Sequence, residues 1–113
     1  MKRGTVVLSP FPFTDLSGTK VRPAVAVSRS DRPGNDVILS FFTSFRGQPL
    51  LPTDLLILDT HPDFPLTRLK TSSVLKLDEL MTLDVSILLG ELGELSTSIL
   101  KQIDDKIRYS LGL

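Results

Sequence analysis

The sequence predicts a mainly β fold, a small barrel or curled sheet, closed by one carboxy-terminal helix. Three features carry that prediction. Short runs of β-branched and apolar residues recur along most of the chain, separated by clusters of Pro, Gly, Ser and Asp. A helical period emerges only at the end, where Ile99, Leu100, Ile103, Ile107 and Leu111 fall on one stripe. Neither a strand–helix–strand alternation nor an internal repeat is present, and many short strands with long turns suit a small barrel. The chain has 113 residues. Domains cluster at roughly 100–150 residues, so residues 1–113 are read as a single domain.

Thr5-Val6-Val7-Leu8 is the first predicted strand. Ser9 to Lys20 reads as a loop, because Pro10, Pro12 and Ser17-Gly18 are turn chemistry. Val21 to Val27 is the second strand, and Pro23, which cannot donate to a ladder, belongs at its start or on an edge. A Pro33-Gly34-Asn35 turn precedes the nearly continuous apolar strand Asp36 to Phe42, at whose end Thr43-Ser44 sits. Gly47 to Pro52 turns into the strand Leu55 to Leu58, and Asp59 to Pro65 is a loop. Ser73 to Leu83 alternates in part and reads as a strand, whereas Ser86 to Leu92 fits a strand or a short helix. Ser96 is a suitable N-cap for the final helix and Gly112 a natural stop. Asp104 and Arg108 are spaced as an i, i+4 ion pair in the favourable order.

Composition excludes several function classes. Without cysteine there is no disulfide framework and no thiolate metal site, and His61 is the single histidine. Mechanisms built on paired imidazoles are therefore excluded, and a zinc site would need an uncommon ligand set. A membrane-spanning helix needs about 20 consecutive apolar residues, far more than the longest apolar runs here. The basic start Met1-Lys2-Arg3 is followed by an apolar stretch that Pro10 and Pro12 break, so an export signal is rejected and the cytoplasm is expected. Lys+Arg and Asp+Glu balance at 13 each. The basic residues concentrate early: the first 50 positions hold seven Lys or Arg against three Asp.

At this point the residues carry a resemblance. The opening Arg3-Gly4-Thr5-Val6-Val7-Leu8-Ser9-Pro10-Phe11-Pro12-Phe13-Thr14-Asp15, followed by Val21-Arg22-Pro23-Ala24-Val25-Ala26-Val27, resembles the MazF/PemK toxins of toxin–antitoxin systems. That family opens with a Gly-initiated strand, a Pro-containing loop and an Arg-Pro dipeptide leading a hydrophobic strand. Phe41-Phe42-Thr43-Ser44, Leu51-Pro52-Thr53, Ser72-Ser73-Val74, Thr82-Leu83-Asp84 and the run Gly90 to Ser96 extend the likeness over nearly the whole chain.

The resemblance implies an SH3-like barrel with a carboxy-terminal helix, and a homodimer. It implies a toxin component that cleaves single-stranded RNA without a metal or other cofactor, leaving a 2′,3′-cyclic phosphate and a 5′-hydroxyl. A cognate antitoxin would block the site, and DNA would be met only through the antitoxin complex. Arg22 and Thr43 fall at the family's two matching positions, which gives them the catalytic roles. Phe13, Lys20, Ser44 and Arg46 are the candidate RNA contacts. One departure stands out: Met81 occupies a position that is often basic in relatives, which predicts weaker RNA binding or a shifted sequence preference.

The chemistry fits these residue types. The RNA supplies its own 2′-OH as nucleophile. The protein must orient the phosphate and stabilise charge on its oxygens. A guanidinium offers five donors in a rigid fork that matches phosphate. A threonine hydroxyl donates one more hydrogen bond. The general base stays unassigned. Two other readings compete: a toxin of the same fold that poisons a protein such as gyrase through its carboxy-terminal helix, and a degenerate member that binds RNA without turnover.

Overall fold

The computed structural model describes residues 1–11 and 20–113. Six strands form one antiparallel sheet: β1 (Thr5–Pro10), β2 (Val21–Ala26), β3 (Asp36–Ser44), β4 (Asp54–Ile57), β5 (Ser73–Asp84) and β6 (Gly90–Glu94). Their order across the sheet is β4-β5-β3-β2-β1-β6. Two helices complete the described structure, the short α1 (Phe64–Thr67) and the long α2 (Thr97–Leu111), together with a 3-10 turn at Val85–Ile87. This is the mainly β architecture with a carboxy-terminal helix that the pattern of short apolar runs predicts.

Alternation along the strands gives the sheet two apolar faces. Val6, Val25, Val27, Phe42, Leu75 and Leu77 project to one side, where they meet Leu95, Ile99 and Ile103 of the helical end. Leu55 and Ile57 of the edge strand β4 join the same cluster as Val6 of β1, so the sheet curls until its distant strands share a core. Val7, Ala24, Ala26, Val37, Leu39 and Phe41 form a second cluster on the opposite face, with Phe11, Met81, Leu83 and Leu88 packed against it. Where β3 meets β5 the register shifts between Ser40 and Phe42. The buried Ser40 hydroxyl donates to the Lys76 carbonyl at 2.8 Å there, which keeps the irregularity free of an unsatisfied group.

The helix α2 is capped as its sequence suggests. The Ser96 side chain accepts from Ile99 N–H at 3.3 Å, and Gly112 closes the end in the left-handed region at φ 73°. Ile99 and Ile103 are buried, and Leu100 and Ile107 pack against the core. Two details depart from the sequence reading. Leu111, the last residue of the apolar stripe, is 58% exposed. Asp104 does not pair with Arg108: it accepts from Arg3 Nη2 at 2.6 Å, while Arg3 Nε donates to the Val27 carbonyl at 2.9 Å. Arg3 thus ties the helix to the end of β2, a long-range link that helical spacing could not reveal. Arg108 lies 3.6 Å from Asp105 instead.

The segment read as a loop after β4 holds α1. Pro65 starts this single turn, and the Thr67 hydroxyl donates to the Phe64 carbonyl at 2.7 Å while accepting from Leu69 N–H at 3.1 Å. α1 lies directly on β6. A Cβ built on Gly93 would stand 2.4 Å from the Leu66 carbonyl oxygen and 2.8 Å from that of Thr67. Backbone cannot yield as a flexible side chain does. Gly93→Ala is therefore expected to destabilise the fold at or above the upper end of the roughly 1–3 kcal/mol typical of overpacking. Denaturant titration checks this, and an unchanged midpoint would contradict it.

Candidate functional site

The sheet brings the predicted pair together at one end. In the β2–β3 ladder Ala24 stands opposite Phe41. Counted outward by two residues, the same register sets Arg22 against Thr43, and the period of two puts both on the face that carries Ala24 and Phe41. Arg22 also stands opposite Ser9 of β1, and Thr43 opposite Val74 of β5. Both side chains are half-buried and both line one groove of about 940 Å³. The Arg-Pro dipeptide thus opens β2 at the groove's rim, as Pro23 requires of a strand's first residues.

An aromatic stack holds Arg22. Its Cζ lies 4.2 Å from the centroid of the Phe11 ring. Phe11 meets Phe41 edge-on at 5.2 Å with an interplanar angle of 81°. Phe41 is itself part of the second apolar cluster. The core therefore supports a ring, and the ring supports the guanidinium. A cation over an aromatic face gains about 0.5–2 kcal/mol according to its desolvation. Phe11 packs on the second apolar cluster, and its second contact, under Arg22, becomes visible only once β1 and β2 are paired. Phe11 N–H donates to the Lys20 carbonyl at 2.7 Å, joining the two flanks of positions 12–19.

The groove wall is cationic. Arg22, Arg46, Arg68 and Lys70 all line it, and among the described residues no Asp or Glu does. Thr43, Ser44, Thr71 and Ser73 add hydroxyls, and Gln48 an amide. The turn carrying Arg46 is pinned by Gln48, whose side chain accepts from Arg46 N–H at 2.6 Å and donates to the Ser44 carbonyl at 3.2 Å. Such a wall attracts a polyanion through charge and offers it donors at short range.

The candidate contacts separate accordingly. Ser44 and Arg46 lie in the groove wall with Arg22 and Thr43. Lys20 is exposed and outside that wall. Phe13 lies outside the described residues. Arg29 forms a two-pronged pair with Asp31 at 2.9 Å, away from the groove. His61 shapes its own turn, its Nδ1 accepting from Asp63 N–H at 3.0 Å. Met81 stands opposite Leu39 and packs on the second apolar cluster, not in the groove. Sequence reasoning missed Arg68 and Lys70. Neither sits in a recognised motif, and only the turn of α1 onto β6 brings them to the groove.

Among the described residues no three His, Asp or Glu side chains gather as a metal site, and no helix is long and apolar enough to cross a membrane. Asp84, the end of the Thr-Leu-Asp motif, caps the 3-10 turn. Its carboxylate accepts from Ser86 N–H at 2.8 Å, and that bond holds its pKa below the ordinary carboxylate value.

A curled antiparallel sheet, one packed helix and a groove walled by cations and hydroxyls define a small barrel protein. The chain belongs to the PemK-like, MazF-like toxin family of type II toxin–antitoxin systems, whose family model matches residues 2–111. Solved structures with the same fold include an endoribonuclease in complex with its cognate antitoxin from a mycobacterial species, at 24% identity and a TM-score of 0.73, covering 98% of this chain and 94% of that one. The Mycobacterium tuberculosis toxin MazF-mt6 superposes with a TM-score of 0.74 at 20% identity, covering 96% and 97%. A MazE–MazF structure from Deinococcus radiodurans gives a TM-score of 0.74 at 24% identity, covering 100% and 97%. Among curated proteins there is no match.

Proposed function

We propose that this toxin is an endoribonuclease that cleaves single-stranded RNA by attack of the RNA's own 2′-OH. The observation that carries the reading is the placement of Arg22 and Thr43 on one face at the rim of a groove walled by cations. The 2′-oxygen forms a bond to phosphorus, the bond to the 5′-oxygen breaks, and the products end in a 2′,3′-cyclic phosphate and a 5′-hydroxyl. Two negative charges build on the phosphoryl oxygens at the transition state. Arg22, fixed on Phe11, presents its fork to them, and Thr43 Oγ1 donates one further hydrogen bond. The mechanism needs no metal: a protein group or water accepts the 2′-proton, and a protein group or water gives a proton to the departing 5′-oxygen, which leaves as the 5′-hydroxyl.

The reading is tested with an RNA and its 2′-O-methyl counterpart. Only the unmodified strand is cleaved, and Thr43→Val slows that cleavage about tenfold, the scale of one neutral hydrogen bond at roughly 1.4 kcal/mol per decade. Cleavage of the 2′-O-methyl strand would refute internal attack.

The toxin acts in the cytoplasm as a homodimer under the control of a cognate antitoxin. Support for the dimer comes from Val85, Ile87 and Leu89, which are exposed in the segment that follows Leu83 and contains Leu88, both packed on the second apolar cluster. Covering such a patch across a two-fold axis removes it from water. Sedimentation as a monomer at micromolar concentration would contradict this. The protein-poison reading has one observation in its favour, the exposure of Tyr109, Leu111 and Leu113 at the end of α2. The groove favours the ribonuclease.

A further inference from the structure

We propose that Arg68 and Lys70 form a second phosphate-binding wall, which holds the RNA backbone beside the scissile phosphate; this rests on the ribonuclease reading above. Arg68 is the sole non-glycine residue with positive φ among the described residues, at φ 60° and ψ 17°. It ends α1, the position where glycine is the ordinary choice because a Cβ is disfavoured in the left-handed region. A residue kept in an unfavourable conformation, next to a groove, points to a task for its side chain.

The surroundings supply the task. Leu69 between the two cations is buried, while Arg68 and Lys70 are exposed. Both line the groove that Arg22 and Thr43 line. Neither has an ion-pair partner among the described residues, whereas Lys2, Arg3, Arg29, Lys76 and Arg108 each have one. Their platform is rigid: the Thr67 hydroxyl bridges Phe64 and Leu69, and Gly93 lets α1 rest on β6. A strand that places one phosphate at Arg22 runs its neighbours past this wall. An acidic peptide would meet the same charges, but the shared groove with the Arg22–Thr43 pair favours RNA.

The test uses a 2′-O-methyl RNA of mixed sequence, which the mechanism leaves uncut, and follows binding by fluorescence anisotropy across a salt series. For single strands log K falls against log salt with a slope of about −0.7 per phosphate neutralised. Arg68→Gly and Lys70→Ala are each expected to flatten the slope by about 0.7 and to weaken binding several-fold at low salt. Arg68→Lys keeps the slope. Arg68→Gly is also expected to leave Tm unchanged or raised, since glycine relieves the conformation. A wild-type slope in both neutralised variants would overturn the proposal and leave the ribonuclease reading standing. A lower Tm for Arg68→Gly would assign the arginine to the fold and overturn its part. Wild-type protein that binds no RNA would overturn both readings. Equal weakening of poly-glutamate binding, with RNA binding untouched, would reassign the wall to an acidic peptide and overturn the proposal as stated.

Discussion

Arg22→Ala is expected to lower the rate of RNA cleavage by about 10²–10³, the usual loss when one donor to a developing oxyanion is removed. The fold should survive, because Arg22 sits at the opening of β2 and makes no ion pair among the described residues. The loss belongs to kcat more than to KM, since Arg46, Arg68 and Lys70 still hold the strand. Arg22→Lys should recover little. A lysine restores charge but not the fork, and it stacks less well on Phe11. Phe11→Leu keeps the apolar packing and removes the ring beneath the guanidinium, so it should fall between wild type and Arg22→Ala. Single-turnover cleavage separates these outcomes, and a Phe11→Leu enzyme slower than Arg22→Ala would contradict the supporting role of the ring.

Lys76→Met should cost the fold about 3–5 kcal/mol, the range for removing one partner of a buried ion pair. Asp54 is 2% exposed at its side chain, and Lys76 Nζ lies 2.7 Å from its Oδ1. Oδ2 accepts from Leu51 N–H at 2.8 Å, whereas Oδ1 has no hydrogen-bond donor apart from the ammonium. Truncating the lysine leaves that oxygen without compensation. Removing both charges at once, Asp54→Asn with Lys76→Met, should restore much of the loss, because no uncompensated charge then stays buried. The hydrogen bond to Asp54 raises the Lys76 pKa above its ordinary 10.5, against desolvation that lowers it. A raised folded pKa gives stability that is complete below the unfolded value and lost as pH rises through the folded one. Wild-type stability should therefore decline above about pH 10.5, and that alkaline decline should shrink in Lys76→Met. Urea titrations at neutral and alkaline pH measure both effects.

The strands were legible because their burial pattern is written at period two. Val6 and Val7, Ala24 and Val25, Phe41 and Phe42 each divide between the two faces. Boundaries ran longer than the apolar runs, since Ser9, Pro10, Thr43 and Ser44 extend β1 and β3 through backbone pairing, which side-chain character does not report. The four-residue α1 was read as loop: it is a single turn around Pro65 and too short for a helical period. The segment after β5 was ambiguous because it divides into a 3-10 turn and β6. Of the groove's lining, Arg22, Thr43 and Ser44 were legible from the motifs that carry the family resemblance, and Arg46 as a cation two residues beyond them. Arg68 and Lys70 were not. Their place depends on Gly93 admitting a neighbouring backbone, and the signal at Arg68 is a dihedral angle. Likewise Arg3 and Asp104, 101 positions apart, meet only in the folded chain.

The central claim is tested most directly by cleaving a long single-stranded RNA in the presence of EDTA and identifying the new ends, with Arg22→Ala in parallel. The account predicts discrete fragments from the wild type, each with a 2′,3′-cyclic phosphate and a 5′-hydroxyl, and their near disappearance in the variant. Equal cleavage by both proteins, or fragments ending in a 3′-hydroxyl and a 5′-phosphate, would contradict it.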